Sequence, residues 1–220
     1  MAPFKSAAIV RVDTWHGGTT VPIRPVPARN SATGSHFFAS VSVDVATGSV
    51  WFVPFEAGLL VRVNESNNLV DTFSDWPDEV NADPCFYGSA IDRRGVLWLV
   101  PYNAAAIVSV TIRGADVGRM RAHALPSLSK SSSLFIGCGY DRHRDVLWLI
   151  AHTSPSLVKV DTVSGLAEIA PTQWPAELGS GFPLQIYKFC EGCVTPGGQS
   201  LWMVPYSSKL PVRLDFETEA

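Results

Sequence analysis

Four residues with ring side chains occupy the same place in a phrase that recurs along the chain. The phrase is a short apolar run containing a tryptophan, and the ring follows it, as in VLWLVPY and SLWMVPY. Aromatic side chains that converge on one surface are typical of sites that bind a peptide or small ligand, because each offers a broad apolar face and a polar edge. An amide beside one ring adds hydrogen-bonding capacity. The candidate binding residues are Phe55, Tyr102, Asn103, His152 and Tyr206.

His152 is the exception in this column, because the other three copies carry Tyr or Phe after a proline. Histidine titrates near neutral pH and is readily adapted to acid–base chemistry, which favours a functional interpretation. Drift in one repeat explains the same substitution without a function. For all four rings a structural interpretation also stays open, in which each ring caps the hydrophobic core of its own repeat.

Two further patterns resemble metal sites, and neither has the required spacing. Cys190 and Cys193 form a single C-x-x-C, but no second pair accompanies them, and residues three apart on a strand face opposite sides of a sheet. The acidic stretch 71–84 lacks the alternating oxygen ligands and the glycine of a calcium loop. The sequence therefore predicts no metal site and no cofactor.

Motifs of covalent and phosphate chemistry are missing from the sequence. There is no G-x-S-x-G nucleophile elbow, no phosphate-binding Gly-rich loop and no H-E-x-x-H zinc motif. This leaves the question of an enzyme undecided and favours a non-catalytic role.

The tryptophans of the recurring phrase reveal a repeat of about fifty residues. Trp51, Trp98, Trp148 and Trp202 are separated by 47, 50 and 54 residues. Each follows a segment that begins with phenylalanine, such as FYGSAID, and precedes a Val-rich run, such as LVRVN. The repeat units are approximately 1–34, 35–83, 84–132, 133–186 and 187–220.

Within each unit the apolar runs have the length and composition of short β-strands. They are rich in β-branched residues, bounded by Asp, Gly, Asn and Pro, and show no helical period. Four antiparallel strands recurring at this interval are the signature of a β-propeller. The sequence therefore predicts an all-β fold, a single β-propeller domain over 1–220 built from four-stranded blades.

The copies of each strand do not add up to whole blades. The third strand recurs once more often than the first, which predicts four blades or an imperfect fifth. We expect a shuffled terminal blade that combines strands from both ends of the chain. A truncated copy of a larger propeller is the remaining alternative, and it would expose apolar edges that favour self-association. The expected state is a monomer or a strand-sharing homodimer.

The segment FYGSAIDRRGVLWLVPYNAAAIVSVTI resembles the repeats of kelch-like and streptogramin-lyase-like propellers. It is more similar to the repeats of largely uncharacterised propeller proteins, and the resemblance covers nearly the whole chain. It implies the propeller fold but no single function, because this fold carries enzymes and scaffolds alike. The histidine-rich catalytic segment of the lyases and the metal ligands of lactonase propellers have no matching positions in this sequence.

Composition and net charge limit the classes of binding partner that we expect. Charged residues make up 17% of the chain, the net charge is -3 and no run of Lys or Arg occurs, so we expect neither nucleic acid nor an anionic membrane as partner. The first fifteen residues fit neither a signal peptide nor a transmembrane helix, which makes the cytoplasm the default location.

Two functions remain as hypotheses. The first is a non-catalytic scaffold that binds a protein or peptide, and it follows from the aromatic column and the missing catalytic motifs. The alternative is a metal-dependent enzyme of the lactonase or lyase type, and it follows from the resemblance and from His152.

Overall fold

Antiparallel sheets follow one another along the chain in the computed structural model, which describes residues 8–13, 19–25, 37–80, 85–127, 133–185 and 187–219. The N-terminal sheet contains β1 (Ala8–Asp13) and β2 (Thr19–Pro25). The first blade contains β3 (Phe38–Asp44), β4 (Ser49–Pro54), β5 (Leu60–Asn64) and β6 (Val70–Phe73). The second blade contains β7 (Phe86–Ile91), β8 (Val96–Pro101), β9 (Ala106–Thr111) and β10 (Met120–Ala124).

The third blade contains β11 (Phe135–Asp141), β12 (Val146–Ala151), β13 (Val158–Asp161) and β14 (Ala167–Ile169). The fourth blade has three described strands, β15 (Phe189–Val194), β16 (Ser200–Pro205) and β17 (Val212–Asp215). Two short 3₁₀ helices, Ala176–Leu178 and Phe182–Leu184, connect these two blades.

The predicted all-β propeller architecture is confirmed, with four blades and an N-terminal sheet in the place of an imperfect fifth. The shuffled terminal blade is not formed by the described strands. β2 pairs with β1, and β17 is the last described strand of its own sheet. Only five residues separate β1 from β2, so their pairing closes a short loop and costs less chain entropy than joining the two ends of the chain.

The innermost strands β3, β7, β11 and β15 lie side by side. Gly88 on β7 lies so close to β11 that a Cβ atom on it would stand 2.6 Å from the Cα atom of Gly137. Both glycines also have positive φ, +95° and +75°, and each lies where its strand is bulged. Residues without a side chain therefore allow neighbouring blades to converge at this level.

The second-strand tryptophans of the first three blades pack against the following blade. Trp51, Trp98 and Trp148 are at most 2% exposed and belong to clusters that include apolar side chains of the next sheet. Trp202 of the fourth blade is 42% exposed, and its neighbour Val204 is also open to solvent. No described strand covers this face of the fourth blade, so the same sequence phrase yields a buried core residue in three blades and a surface residue in the last.

We expect Gly88→Ala to be much more destabilising than Gly114→Ala. Both positions have positive φ, at +95° and +82°, but a Cβ on Gly114 would have nothing within 4 Å. Gly88→Ala therefore adds a backbone clash to a shared conformational cost, and it should lower the free energy of unfolding by about 1–3 kcal/mol more than Gly114→Ala. Urea denaturation of the two variants measures this difference, and equal losses would refute the close approach of β7 and β11.

Candidate functional site

The corners between the second and third strands of the blades are held by the same backbone hydrogen bonds. We call the end of the propeller that carries these corners the upper rim. At each corner, the carbonyl oxygen of the residue just before the inner strand accepts two amide hydrogens from the corner. The acceptors and their donors are Phe37 with Phe55 and Ala57, Cys85 with Tyr102 and Asn103, Leu134 with His152 and Ser154, and Lys188 with Tyr206 and Ser208, over 2.9–3.3 Å. The corner ring is thereby fixed at the end of the inner strand of its own blade.

Further hydrogen bonds join successive corners. The amide of Leu134 donates to the carbonyl oxygen of Tyr102 over 3.1 Å, and the amide of Lys188 donates to that of His152 over 2.9 Å. Together with the bonds inside each corner, they form a continuous backbone path. We call this path, from Cys85 through Tyr102, Leu134, His152 and Lys188 to Tyr206, the corner belt.

Six rings meet along the upper rim in an unbroken series, which we call the aromatic arc. The first triad consists of Phe55, Tyr87 and Tyr102, with ring centroids 5.2–6.0 Å apart. The second triad consists of His152, Tyr187 and Tyr206, with centroids 5.0–6.2 Å apart. A contact of 6.3 Å between Tyr102 and His152 joins the triads. The structure thus brings together all four ring residues expected from the repeat.

The two added rings, Tyr87 and Tyr187, were missed by the sequence analysis. Tyr87 is the second residue of β7, a position that carries Ala, Ile or Cys in the other inner strands. Tyr187 lies just before β15 and has a positive φ of +58°. In the sequence, Tyr87 directly follows Phe86, and Tyr187 lies two residues before Phe189, the phenylalanines that start β7 and β15.

Exposure increases along the arc towards the fourth blade. Tyr206 is 68% exposed and Tyr187 is 43% exposed, whereas Phe55, Tyr87 and Tyr102 are half-buried. His152 is only 5% exposed. The arc is therefore an accessible ledge with one buried member.

His152 is the buried member of the aromatic arc. Its Nδ1 atom lies 2.6 Å from the carbonyl oxygen of Phe189, so Nδ1 carries the proton and donates it to that oxygen. Burial lowers the pKa of His152, the hydrogen bond to Phe189 opposes this, and the charge of Lys188 lowers the pKa further. The imidazole is thus held as a neutral ring between Tyr102 and the second triad.

Asn103 has a structural contact at its corner. Its Oδ1 atom accepts a hydrogen bond from the backbone amide of Cys85 over 2.8 Å. The side chain is otherwise exposed, so its remaining amide hydrogens face solvent beside the first triad. Its predicted part in ligand binding remains a proposal.

Lys188 lies fully buried next to the second triad. Its Nζ atom donates hydrogen bonds to the carbonyl oxygens of Ser154 and Gln185. Burial lowers the pKa of this amine to about 8. No described carboxylate forms an ion pair with it, so carbonyl oxygens alone compensate the loss of water.

Glu191 points from β15 towards β11 below the first triad. One of its carboxylate oxygens lies 2.5 Å from the place where a Cβ atom of Gly137 would stand, so the carboxylate fills the notch left by that glycine. Burial raises the pKa of Glu191, although part of the side chain remains open to solvent. Burial and then the Glu191 carboxylate raise the pKa of Tyr87. The corresponding residues in the other blades are Ser40, Gly88 and Gly137. A charged residue at a position that otherwise carries Ser or Gly is the sequence signal that distinguishes Glu191.

Aspartates fasten the opposite end of the blades, which we call the lower rim. Asp44 and Asp141 end β3 and β11, and Asp92 directly follows β7. All three are buried and accept hydrogen bonds from the amides two residues ahead, as Asp residues that start turns do. Arg113 of the second blade donates to Asp44 of the first over 3.0 Å and lowers the pKa of that carboxyl. Side-chain ion pairs thus link blades at the lower rim, while backbone bonds link them at the upper rim.

The remaining candidate groups do not assemble into a metal site. All four cysteines lie in described ranges and have reduced thiols, and burial raises the pKa of Cys138. Among the described residues, no three His, Cys, Asp or Glu side chains are grouped so that they could hold a metal ion. The acidic stretch 71–84 is described only to residue 80.

In the described ranges of the chain, no helix has the length and apolar character needed to cross a membrane.

No protein-family model and no curated protein matches the chain. Among solved structures, it is similar to a virginiamycin B lyase from Staphylococcus aureus, with a TM-score of 0.67, 19% identity and coverage of 97% of this chain and 61% of the lyase. For a streptogramin B lyase these values are 0.66, 20%, 97% and 60%, and for a nidogen/laminin complex they are 0.62, 13%, 97% and 69%.

These likenesses show the propeller fold and leave the function open. The chain spans about three fifths of the length of the two lyases. The streptogramin-lyase part of the resemblance noted in the sequence is supported at the level of fold, and the kelch-like part stays a prediction.

We expect His152 to make the folded protein less stable in weak acid. Its pKa is lower in the folded protein than the ordinary value of 6.5, so the unfolded chain binds the proton more readily, and stability is lost as the pH falls below about 6.5. His152→Phe removes this loss, which has a maximum slope of about 1.4 kcal/mol per pH unit. Urea denaturation of both proteins between pH 7.5 and 5 tests this.

The difference in unfolding free energy between wild type and His152→Phe should shrink or reverse towards acid pH. His123, whose pKa is also lowered by burial, is present in both proteins and cancels in the comparison. Parallel pH profiles would show that His152 is not held neutral.

Proposed function

We propose that this chain is a non-catalytic propeller scaffold that binds a protein or peptide across the aromatic arc. The observation that supports this proposal is the arc itself, six rings in consecutive contact along one rim, with Tyr187 and Tyr206 open to solvent. Aromatic clusters of this kind supply most of the energy at many protein interfaces.

The rings are well prepared for binding because their backbone is fixed. In the corner belt, the backbone amides of Tyr102, His152 and Tyr206 each donate a hydrogen bond. The backbone carbonyl oxygens of Tyr102 and His152 also accept one each. Little backbone order then has to be gained on association, and tyrosine side chains have few rotatable bonds to immobilise. A peptide that lies along the upper rim would contact successive rings with little entropic cost.

The similar structures include both enzymes and a protein complex. Two are named as lyases, which are enzymes, and the nidogen structure is a complex with laminin. At identities of 20% or less these likenesses favour neither role for this chain, so the proposal rests on the geometry of the arc. The metal-dependent lactonase or lyase alternative has no such supporting geometry in the described residues. It remains a hypothesis that elemental analysis of the purified protein would address.

The proposal predicts that peptides selected on the purified protein depend on the arc. Peptides would be selected from a displayed random library, and their dissociation constants measured for wild type and for the double variant Tyr102→Leu/Tyr206→Ala. Loss of one half-buried and one exposed ring should weaken binding at least about tenfold, the usual effect of removing an interface anchor.

Two exposed apolar residues away from the arc provide the control. Val45 and Leu69 are 90% and 61% exposed, and Val45→Ala/Leu69→Ala removes a comparable amount of accessible apolar surface. This control should bind the peptides like the wild type. Equal binding by the arc variant, or no peptide selected above background, would contradict the proposal.

A further inference from the structure

The two halves of the aromatic arc lie near opposite charges. The Glu191 carboxylate fills the notch at Gly137, and Gly137 lies against Gly88, the residue that follows Tyr87 of the first triad. Burial and then this carboxylate raise the pKa of Tyr87. Lys188 lies beside the second triad, where its charge lowers the pKa of His152. The arc is therefore electrically asymmetric, negative at the first triad and positive at the second.

Glu191 is exposed to solvent and has few polar partners among the described residues. It accepts a long hydrogen bond of 3.3 Å from the amide of the next residue, Gly192. Among the described residues, no lysine or arginine forms an ion pair with it. A carboxylate in this situation gains free energy when a cation approaches it.

The first triad offers a cation a second attraction. Its three rings lie in mutual contact, and each aromatic face carries partial negative charge. A cation on this ledge would meet the ring faces and the Glu191 carboxylate together. At the second triad the same cation would meet the charge of Lys188 instead. The two groups of rings therefore differ in the charge that lies beside them.

We propose that the first triad, together with Glu191, binds a cationic group, the ammonium or guanidinium of a lysine or arginine side chain in the bound peptide. This inference rests on the proposed function, since it assigns the arc as the peptide site, and it adds the chemical class that one end of the arc selects. The groups that would contact the cation are Phe55, Tyr87, Tyr102 and Glu191.

Defined probes test this directly. The tripeptide N-acetyl-Gly-Lys-Gly-amide and its norleucine analogue have the same aliphatic length and differ in the charge. Each would be titrated into the protein to about 10 mM, tenfold above a Kd of about 1 mM, while NMR follows the tyrosine ring resonances. The lysine peptide should bind wild type at least about fivefold more tightly than the norleucine peptide. Butylammonium, titrated alone, shows whether the free amine suffices.

Variants distinguish the contribution of the Glu191 carboxylate to the lysine preference from the contribution of the rings. Glu191→Gln keeps the shape that fills the Gly137 notch and removes the charge, so it should abolish the lysine preference without preventing norleucine binding. Tyr87→Leu should also reduce the preference. Tyr187→Leu is the matched control, because it removes a tyrosine from the second triad, and the preference should persist.

Each outcome has a definite meaning. A lysine preference that Glu191→Gln removes supports the inference, and equal affinity for butylammonium and the lysine peptide would show that the amine alone is recognised. Equal binding of both peptides to wild type overturns the inference and leaves the peptide-binding function intact. A preference that survives Glu191→Gln also overturns it. If neither peptide shifts the arc tyrosines, the inference fails and the proposed function fails for these peptides as well.

Discussion

The backbone hydrogen bonds of the corner belt are the interaction on which the upper rim depends. Each carbonyl oxygen before an inner strand binds the corner of its own blade, and two of the corner carbonyls bind the strand entry of the next blade. The spacing of the rings is thus set by main-chain atoms. Because no side chain is needed for this, the ring position tolerates Phe, Tyr and His, and the exposed chemistry of the rim can change while its geometry stays the same.

The specific character of the rim comes from residues that depart from the repeat. Glu191 stands where the other blades carry Ser or Gly, and Lys188 stands where they carry Phe, Cys and Leu. Both belong to the fourth blade, yet they act on opposite halves of the arc, since Glu191 reaches back across the notch at Gly137. A missing side chain on one inner strand and an additional one on the next therefore combine into a single asymmetric surface.

The sequence was sufficient for features that recur. The tryptophan period, the strand order and the convergence of Phe55, Tyr102, His152 and Tyr206 all follow from a pattern repeated four times. It was insufficient where contacts arise between repeats. Tyr87, Tyr187, Glu191 and Lys188 meet the arc through blade packing and a positive φ, which no local pattern encodes. The described strands do not form the expected shuffled terminal blade for a related reason, because strand counting ignores the low entropic cost of pairing adjacent strands.

All described strands pair only with strands adjacent to them in the sequence. No described sheet requires residues from a distant part of the chain, which distinguishes this arrangement from a ring closed by strands of both termini. A ribosome that synthesises this protein can therefore release one blade at a time, each able to form its hydrogen bonds before the next is made. Strand pairing can thus follow the order of translation, in which the corners of the first triad are made before those of the second.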